Sequence, residues 1–232
     1  MSFFFVEEDP LPKFVPDPKL AQCDFGVLTI ETIEGFVTEC IEAKKCAIDT
    51  ETTGLDKRVK RRTTQDKIVG ISLSPGGNRA RYIPIRHRGE VGTRVNIPWS
   101  VVLRQLKRIE SAMREGKLIC YLFNAMFDQE MISHTGDEEP FDPWDDCRSW
   151  EDGIHLAYLA NSGRKQLGLK SLVRNELGIE MLELSALFPP NSPHRDFSNL
   201  DPTRPDVTYY ACSDAICHFW IAEHFHPRAL LS

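Results

Sequence analysis

Three short stretches carry acids at spacings that chemistry can use. In the first, the apolar run Cys46-Ala47-Ile48 leads into Asp49 and Glu51, with one residue between the two acids. Alternation along a strand sends both side chains to one face. Two carboxylates on one face repel each other, and a divalent cation held between them removes the repulsion. The second stretch is FNAMFD, residues 123 to 128, where a strand ends and Asp128 lands in the first turn of the next helix. An acid there also suits the helix dipole, and Asn124 fits an N-cap. The third is YYACSD, residues 209 to 214. Tyr210 and Asp214 are four apart, so on a helix they share a face. Aspartate has poor propensity in mid-helix and no capping role there. Taken singly, each stretch has an ordinary reading: an exposed strand end, a dipole-stabilising acid, a chance pairing.

The elements that must position these groups follow from hydrophobic spacing. Ile33, Phe36, Val37, Cys40 and Ile41 form one face of a helix. Residues 46 to 50 read as a buried strand. Residues 67 to 73 and 80 to 85 read as two more, joined by the turn residues Ser74-Pro75-Gly76-Gly77-Asn78. A helix starts near Pro98 with Val102, Leu106, Ile109 and Met113 on one face. Residues 118 to 123 form a fourth strand, and a helix then runs to about His134. Residues 135 to 151 are acidic and read as a loop holding Trp144 and Trp150. Helices are expected at 152 to 160, at 168 to 177 with Gly178 as its stop, and from Asp206 to Phe225. Residues 1 to 22 carry four prolines and read as an extended leader, and residues 23 to 232 read as a single α/β domain.

Composition is that of a soluble globular chain: 232 residues, 41% apolar and 27% charged. No apolar run approaches a membrane span, and no signal peptide is evident, so a cytoplasmic protein is expected. The seven cysteines are scattered without a CxxC pair, which argues against a zinc site or a disulfide framework. The formal net charge of −6 hides an asymmetry. Residues 57 to 94 hold eleven Lys and Arg against only Asp66 and Glu90. A basic surface on an acidic body is a footprint for a polyanion.

The order of the three stretches resembles the DEDD exonucleases of the ribonuclease H-like fold. With Tyr210 before Asp214 the chain is similar to the DEDDy group. It is most similar to the proofreading 3′–5′ exonuclease domain of family A DNA polymerases, through Asp49-Thr50-Glu51-Thr52-Thr53-Gly54-Leu55, Asn124 to Asp128, and Tyr210 to Asp214. Residues 67 to 74 with 80 to 87, 151 to 162 and 168 to 178 also look like the family's strand pair and helices. The DEDDh group is disfavoured, because its histidine position is Tyr209 here. The resemblance implies a mixed five-stranded sheet, strands 1–3 antiparallel and the others parallel, flanked by helices. It implies two divalent cations, Mg²⁺ or Mn²⁺, held by Asp49, Glu51, Asp128 and Asp214. Oxygen-only ligands suit those ions rather than zinc. Tyr210 would orient the attacking water, and the product would be a 5′-mononucleotide. Substrate contacts would come from Thr50, Thr52, Leu55, Asn124, Phe127 and Phe197, of which Leu55 matches a wedging leucine and Phe197 a stacking phenylalanine.

Single-stranded DNA or a frayed DNA 3′ end is the expected substrate, with a DNA polymerase or other replication protein as a candidate partner. An RNA 3′ exonuclease like ribonuclease D and a silent nucleic-acid-binding module are the alternatives. The stretch DKRVKRRTTQDK looks longer and more basic than the family's turn. Arg58, Lys60, Arg61 and Arg62 are therefore expected on the phosphate backbone. His87 and His194 read as surface histidines.

Overall fold

The computed structural model describes residues 14–54, 67–133, 149–190, 192 and 195–229. Six strands form one mixed sheet: β1 (Asp24–Val27), β2 (Lys45–Thr52), β3 (Ile68–Gly76), β4 (Arg79–Pro84), β5 (Ile119–Leu122) and β6 (Trp150–Asp152). Their spatial order is β1-β4-β3-β2-β5-β6. The three strands expected to be antiparallel are β2, β3 and β4, and β5 joins β2 in parallel. Among the described residues the sheet has six strands rather than the expected five. Both β1 and β6 are short parallel edges: β1 lies on β4, and β6 on β5. Trp150 thus belongs to a strand, not to the acidic loop.

Among the described residues, seven α-helices cover the sheet: α1 (Ile33–Glu42), α2 (Gly89–Val95), α3 (Trp99–Arg114), α4 (Ala125–Ser133), α5 (Gly153–Ala160), α6 (Leu169–Leu172) and α7 (Pro205–Ala229). A π-helical turn, Val173–Leu177, continues α6, and Gly178 ends it in the left-handed conformation with φ 64°. The side chains at 102, 106, 109 and 113 bury one face of α3, as the periodicity required. Each such side chain contributes about 1.5–3 kcal/mol of transfer free energy.

Alternation along β2 divides the interior in two. Cys46 and Ile48 pack into the layer that α1, α3 and α4 share, while Ala47 faces the layer of α5, α6 and α7. The longest helix, α7, is buried on nearly all sides from Val207 to Phe225. Pro205 opens it where a missing N–H costs nothing, and Arg204 holds Asp206 through two nitrogens at 3.1 and 2.6 Å. The described end of the leader is strapped against this layer. The Asp17 N–H donates to the Tyr209 hydroxyl at 3.0 Å, and the Asp17 carboxylate accepts from the Glu180 N–H at 3.0 Å. The Phe14 ring lies edge-on to Tyr209 at 4.8 Å. Position 209, where the DEDDh group has its histidine, therefore anchors the leader.

Of the seven cysteines, six are described and all six are free thiols. Among the described residues no helix is long and apolar enough to cross a membrane.

Candidate active site

The end of β2 and the middle of α7 meet on one face of the sheet. Oxygens of Asp49, Glu51 and Asp214 all lie within 4.8 Å of one another. The strand period aims the first two carboxylates at α7, and the α7 backbone brings the third to them. Glu51 is buried, and Asp49 keeps a side-chain exposure of 17%. Glu51 Oε1 and Asp214 Oδ1 are buried without a hydrogen-bond partner. Buried acceptors left unpaired are costly, so this trio fits a cation on the chemistry of its donors.

Asp128 arrives from the opposite layer, in the first turn of α4. It stands outside the mutual trio but close enough for its charge to raise both Asp49 and Glu51. The Thr50 hydroxyl donates to Asp128 Oδ1 at 2.6 Å and fixes the carboxylate. Thr50 is buried, so it touches Asp128 rather than offering its hydroxyl to a substrate.

Electrostatics follow from crowding four acids in a dry place. Burial first, then Asp214, Glu51 and Asp128, push Asp49 well above the usual carboxylate range. Burial and Asp214 do the same to Glu51. Burial carries Asp128 to about 7, against the pull of Thr50, and carries Asp214 to about 7. Without a cation the site is therefore partly protonated near neutrality. Tyr210 sits one turn before Asp214. Burial and the neighbouring acids hold its phenol far above its ordinary value. The hydroxyl stays protonated, so it can orient a water by hydrogen bonding but cannot act as a base.

Several groups of this site were not legible as such. Asp152, at the end of β6, caps two helices at once. Its Oδ1 accepts from Asn124 N at 3.1 Å and Ile154 N at 2.8 Å, and its Oδ2 from Ala125 N at 2.8 Å. One carboxylate thus anchors the start of α4, which carries Asp128, and the start of α5. Asn124 does not cap through its side chain here. It takes a left-handed φ of 66°, which asparagine tolerates, and stays exposed. His218, one turn after Asp214, has Nε2 3.5 Å from Asp49 Oδ1 and donates through Nδ1 to the Ile48 carbonyl at 3.3 Å. Burial lowers it to about 4, so it is neutral. An Asp-X3-His spacing on the same helix face was the available signal.

Other expectations meet a different arrangement. Phe197 is 1% exposed and packs against Tyr210, Tyr82 and His87, so its ring supports Tyr210 from beneath and presents no open face. His87 is not on the surface: it is 2% exposed, donates to the Leu200 carbonyl at 2.8 Å and accepts from the Tyr82 hydroxyl at 2.8 Å. Phe127 is half-buried against the opposite layer, and Thr52 donates to the Gly54 carbonyl at 3.1 Å. Leu55, Arg58, Lys60, Arg61, Arg62, Trp144 and His194 lie outside the described residues. Much of the described basic window is neutralised: Arg79 pairs with Asp24 and Glu39, Arg81 with Asp24, Arg88 with Asp196, and Arg94 with Glu90.

Solved structures share this architecture. NrnC of Brucella melitensis with bound Mg²⁺ superposes with a TM-score of 0.52 at 16% identity, over 80% of this chain and 73% of that one. The same protein bound to pGG gives 0.53 at 17%, over 80% and 72%. Escherichia coli RNase D, an exoribonuclease involved in structured RNA processing, gives 0.58 at 15%, over 89% of this chain and 45% of that one. The Aedes aegypti Nibbler EXO domain gives 0.61 at 11%, over 90% and 91%. The fold is ribonuclease H-like. No family model matches the chain, and no curated protein does.

Proposed function

We propose that this chain is a metal-dependent 3′–5′ exonuclease of the DEDDy type, and that its substrate is an RNA 3′ end. The observation that carries the reading is the close trio Asp49, Glu51 and Asp214, with two buried, unpartnered oxygens on Glu51 and Asp214 and with Tyr210 one turn away. The trio would hold one divalent cation, and Asp49 together with Asp128 a second. The Mg²⁺ in NrnC supports the choice of ion. Bound, the cations supply charge neutralisation and a more acidic attacking water.

The chain's own groups do the rest. Thr50 holds Asp128, His218 stands behind Asp49, and Phe197 supports the ring of Tyr210. The protonated phenol orients the water for in-line attack on the last phosphodiester, releasing a 5′-mononucleotide. RNA is preferred to the DNA expected from the polymerase resemblance because the similar fold of Escherichia coli RNase D is that of an exoribonuclease involved in structured RNA processing. A DNA 3′ end remains the second reading through the motif resemblance.

The test uses matched RNA and DNA oligonucleotides labelled at the 5′ end, with Mg²⁺ or Mn²⁺, EDTA, and the double variant Asp49→Asn/Glu51→Gln. A ladder shrinking from the 3′ end of RNA, absent in both controls, is the expected result. Faster loss of DNA transfers the substrate assignment to DNA. Binding without cleavage of either identifies a silent nucleic-acid-binding module and refutes the enzyme.

A further inference from the structure

Lys170, on α6, sets a positive charge against the ring of Tyr210. Its ammonium lies 5.1 Å from the centre of the Tyr210 ring. It donates to the Leu182 carbonyl at 2.7 Å and to Glu183 Oε2 at 3.1 Å. Its side chain is 26% exposed, so it stands at the rim of the site rather than in the core. An exposed Lys–Glu pair alone contributes little. The contact with the Tyr210 ring is different in kind, because that ring belongs to the residue proposed to orient the attacking water. The same charge favours the ionised forms of Glu51 and Asp214.

Such a placement has two opposed effects. A fixed cation beside the carboxylates repels a divalent cation and weakens its binding. It also offsets the negative charge that a phosphodiester brings and that grows in the transition state. We propose that Lys170 is a positioning residue for hydrolysis, holding the Tyr210 ring in place and setting a fixed positive charge at the rim of the site where a phosphodiester binds. The proposal rests on the exonuclease reading and adds to it a basic residue from outside the acid motifs.

Lys170→Met and Lys170→Arg test it, each through two measurements. Mn²⁺ is titrated into the substrate-free protein by calorimetry, and kcat and KM are measured on an RNA oligonucleotide. Lys170→Met is expected to bind Mn²⁺ about threefold more tightly yet to lose about tenfold or more in kcat, with KM nearly unchanged. Lys170→Arg keeps the charge and restores most of kcat. A Lys170→Met protein that weakens Mn²⁺ binding and activity together shows mere scaffold damage and overturns the proposal. So does one with the kcat of an active wild type. A wild type inert on both RNA and DNA overturns the exonuclease reading itself, and this proposal with it.

Discussion

Replacing Asp152 is the sharpest probe of how the site is assembled. Asp152→Ala removes three hydrogen bonds from two helix starts at once. A lost cap costs about 1 kcal/mol, and the position is buried, so water does not replace the lost acceptor. Two caps and an additional unpaired N–H sum to about 3 kcal/mol. For a chain of this size that lowers Tm by about 6–12 °C. Asp152→Asn separates geometry from charge. Its remaining oxygen can keep the Asn124 and Ile154 bonds, while its amide NH₂ would face the Ala125 N–H. The expected cost is about 1–2 kcal/mol, with a correspondingly smaller loss of Tm. Because Asp128 rides on the first turn of α4, nuclease activity should fall in the same order, the alanine variant below the asparagine variant. Thermal unfolding followed by circular dichroism, beside the oligonucleotide assay, reads both quantities. An alanine variant within about 2 °C of wild type, or an asparagine variant as damaged as the alanine one, refutes the argument that this carboxylate anchors both helices.

Three further outcomes are expected. Burial raises Asp128 and Asp214 to about 7, well above the usual carboxylate range, so their protonated forms favour the fold. That contribution is fully present below the unfolded value and is lost as pH rises through about 7. Mn²⁺ should therefore raise Tm more at pH 8 than at pH 5.5, and equal gains at both pH values contradict the assignment. Thr50→Val removes the donor that lowers Asp128, so Mn²⁺ affinity at pH 7 should fall about tenfold and its pH midpoint should move upward. Calorimetric titration across pH checks this. Gly70→Ala would place a Cβ 1.9 Å from the Tyr82 hydroxyl, which already serves His87. A loss of about 1–3 kcal/mol is expected in chemical denaturation, with Mn²⁺ affinity less affected.

The acids were legible because each spacing is a local fact. Asp49 and Glu51 share a face by the period of a strand, and Tyr210 and Asp214 by the period of a helix. Neither depends on where the rest of the chain goes. What stayed hidden is set at long range or by very short elements. The burial of His87 depends on the Leu200 carbonyl, 113 residues away, and Phe197 is covered by Tyr82, His87 and Tyr210 from three parts of the chain. The edge strand β1 is four residues with a central glycine, and β6 is three residues with two acids. Neither offers enough alternation to be read. The helix α2 holds two glycines in seven residues, and its propensity is correspondingly poor. Asp152 caps the helix beside it, and only the parallel pairing of β6 with β5 brings it to α4 as well.

The junction after the two acids on β2 bears on how this site can vary. The register of β2 against β3 shifts between Glu51 and Thr52. Immediately beyond, the Thr53 N–H donates to the Lys67 carbonyl and the Lys67 N–H donates to the Thr53 hydroxyl, both at 3.1 Å. These paired bonds close a neck beneath whatever chain lies between Gly54 and Lys67. Doubling the length of a flexible segment on a closed neck costs only about 0.6 kcal/mol. The bonds that hold the strand end carrying Asp49 and Glu51 belong to residues 53 and 67. The strand end that carries the two acids is thus clasped to β3's approach by its own pair of hydrogen bonds.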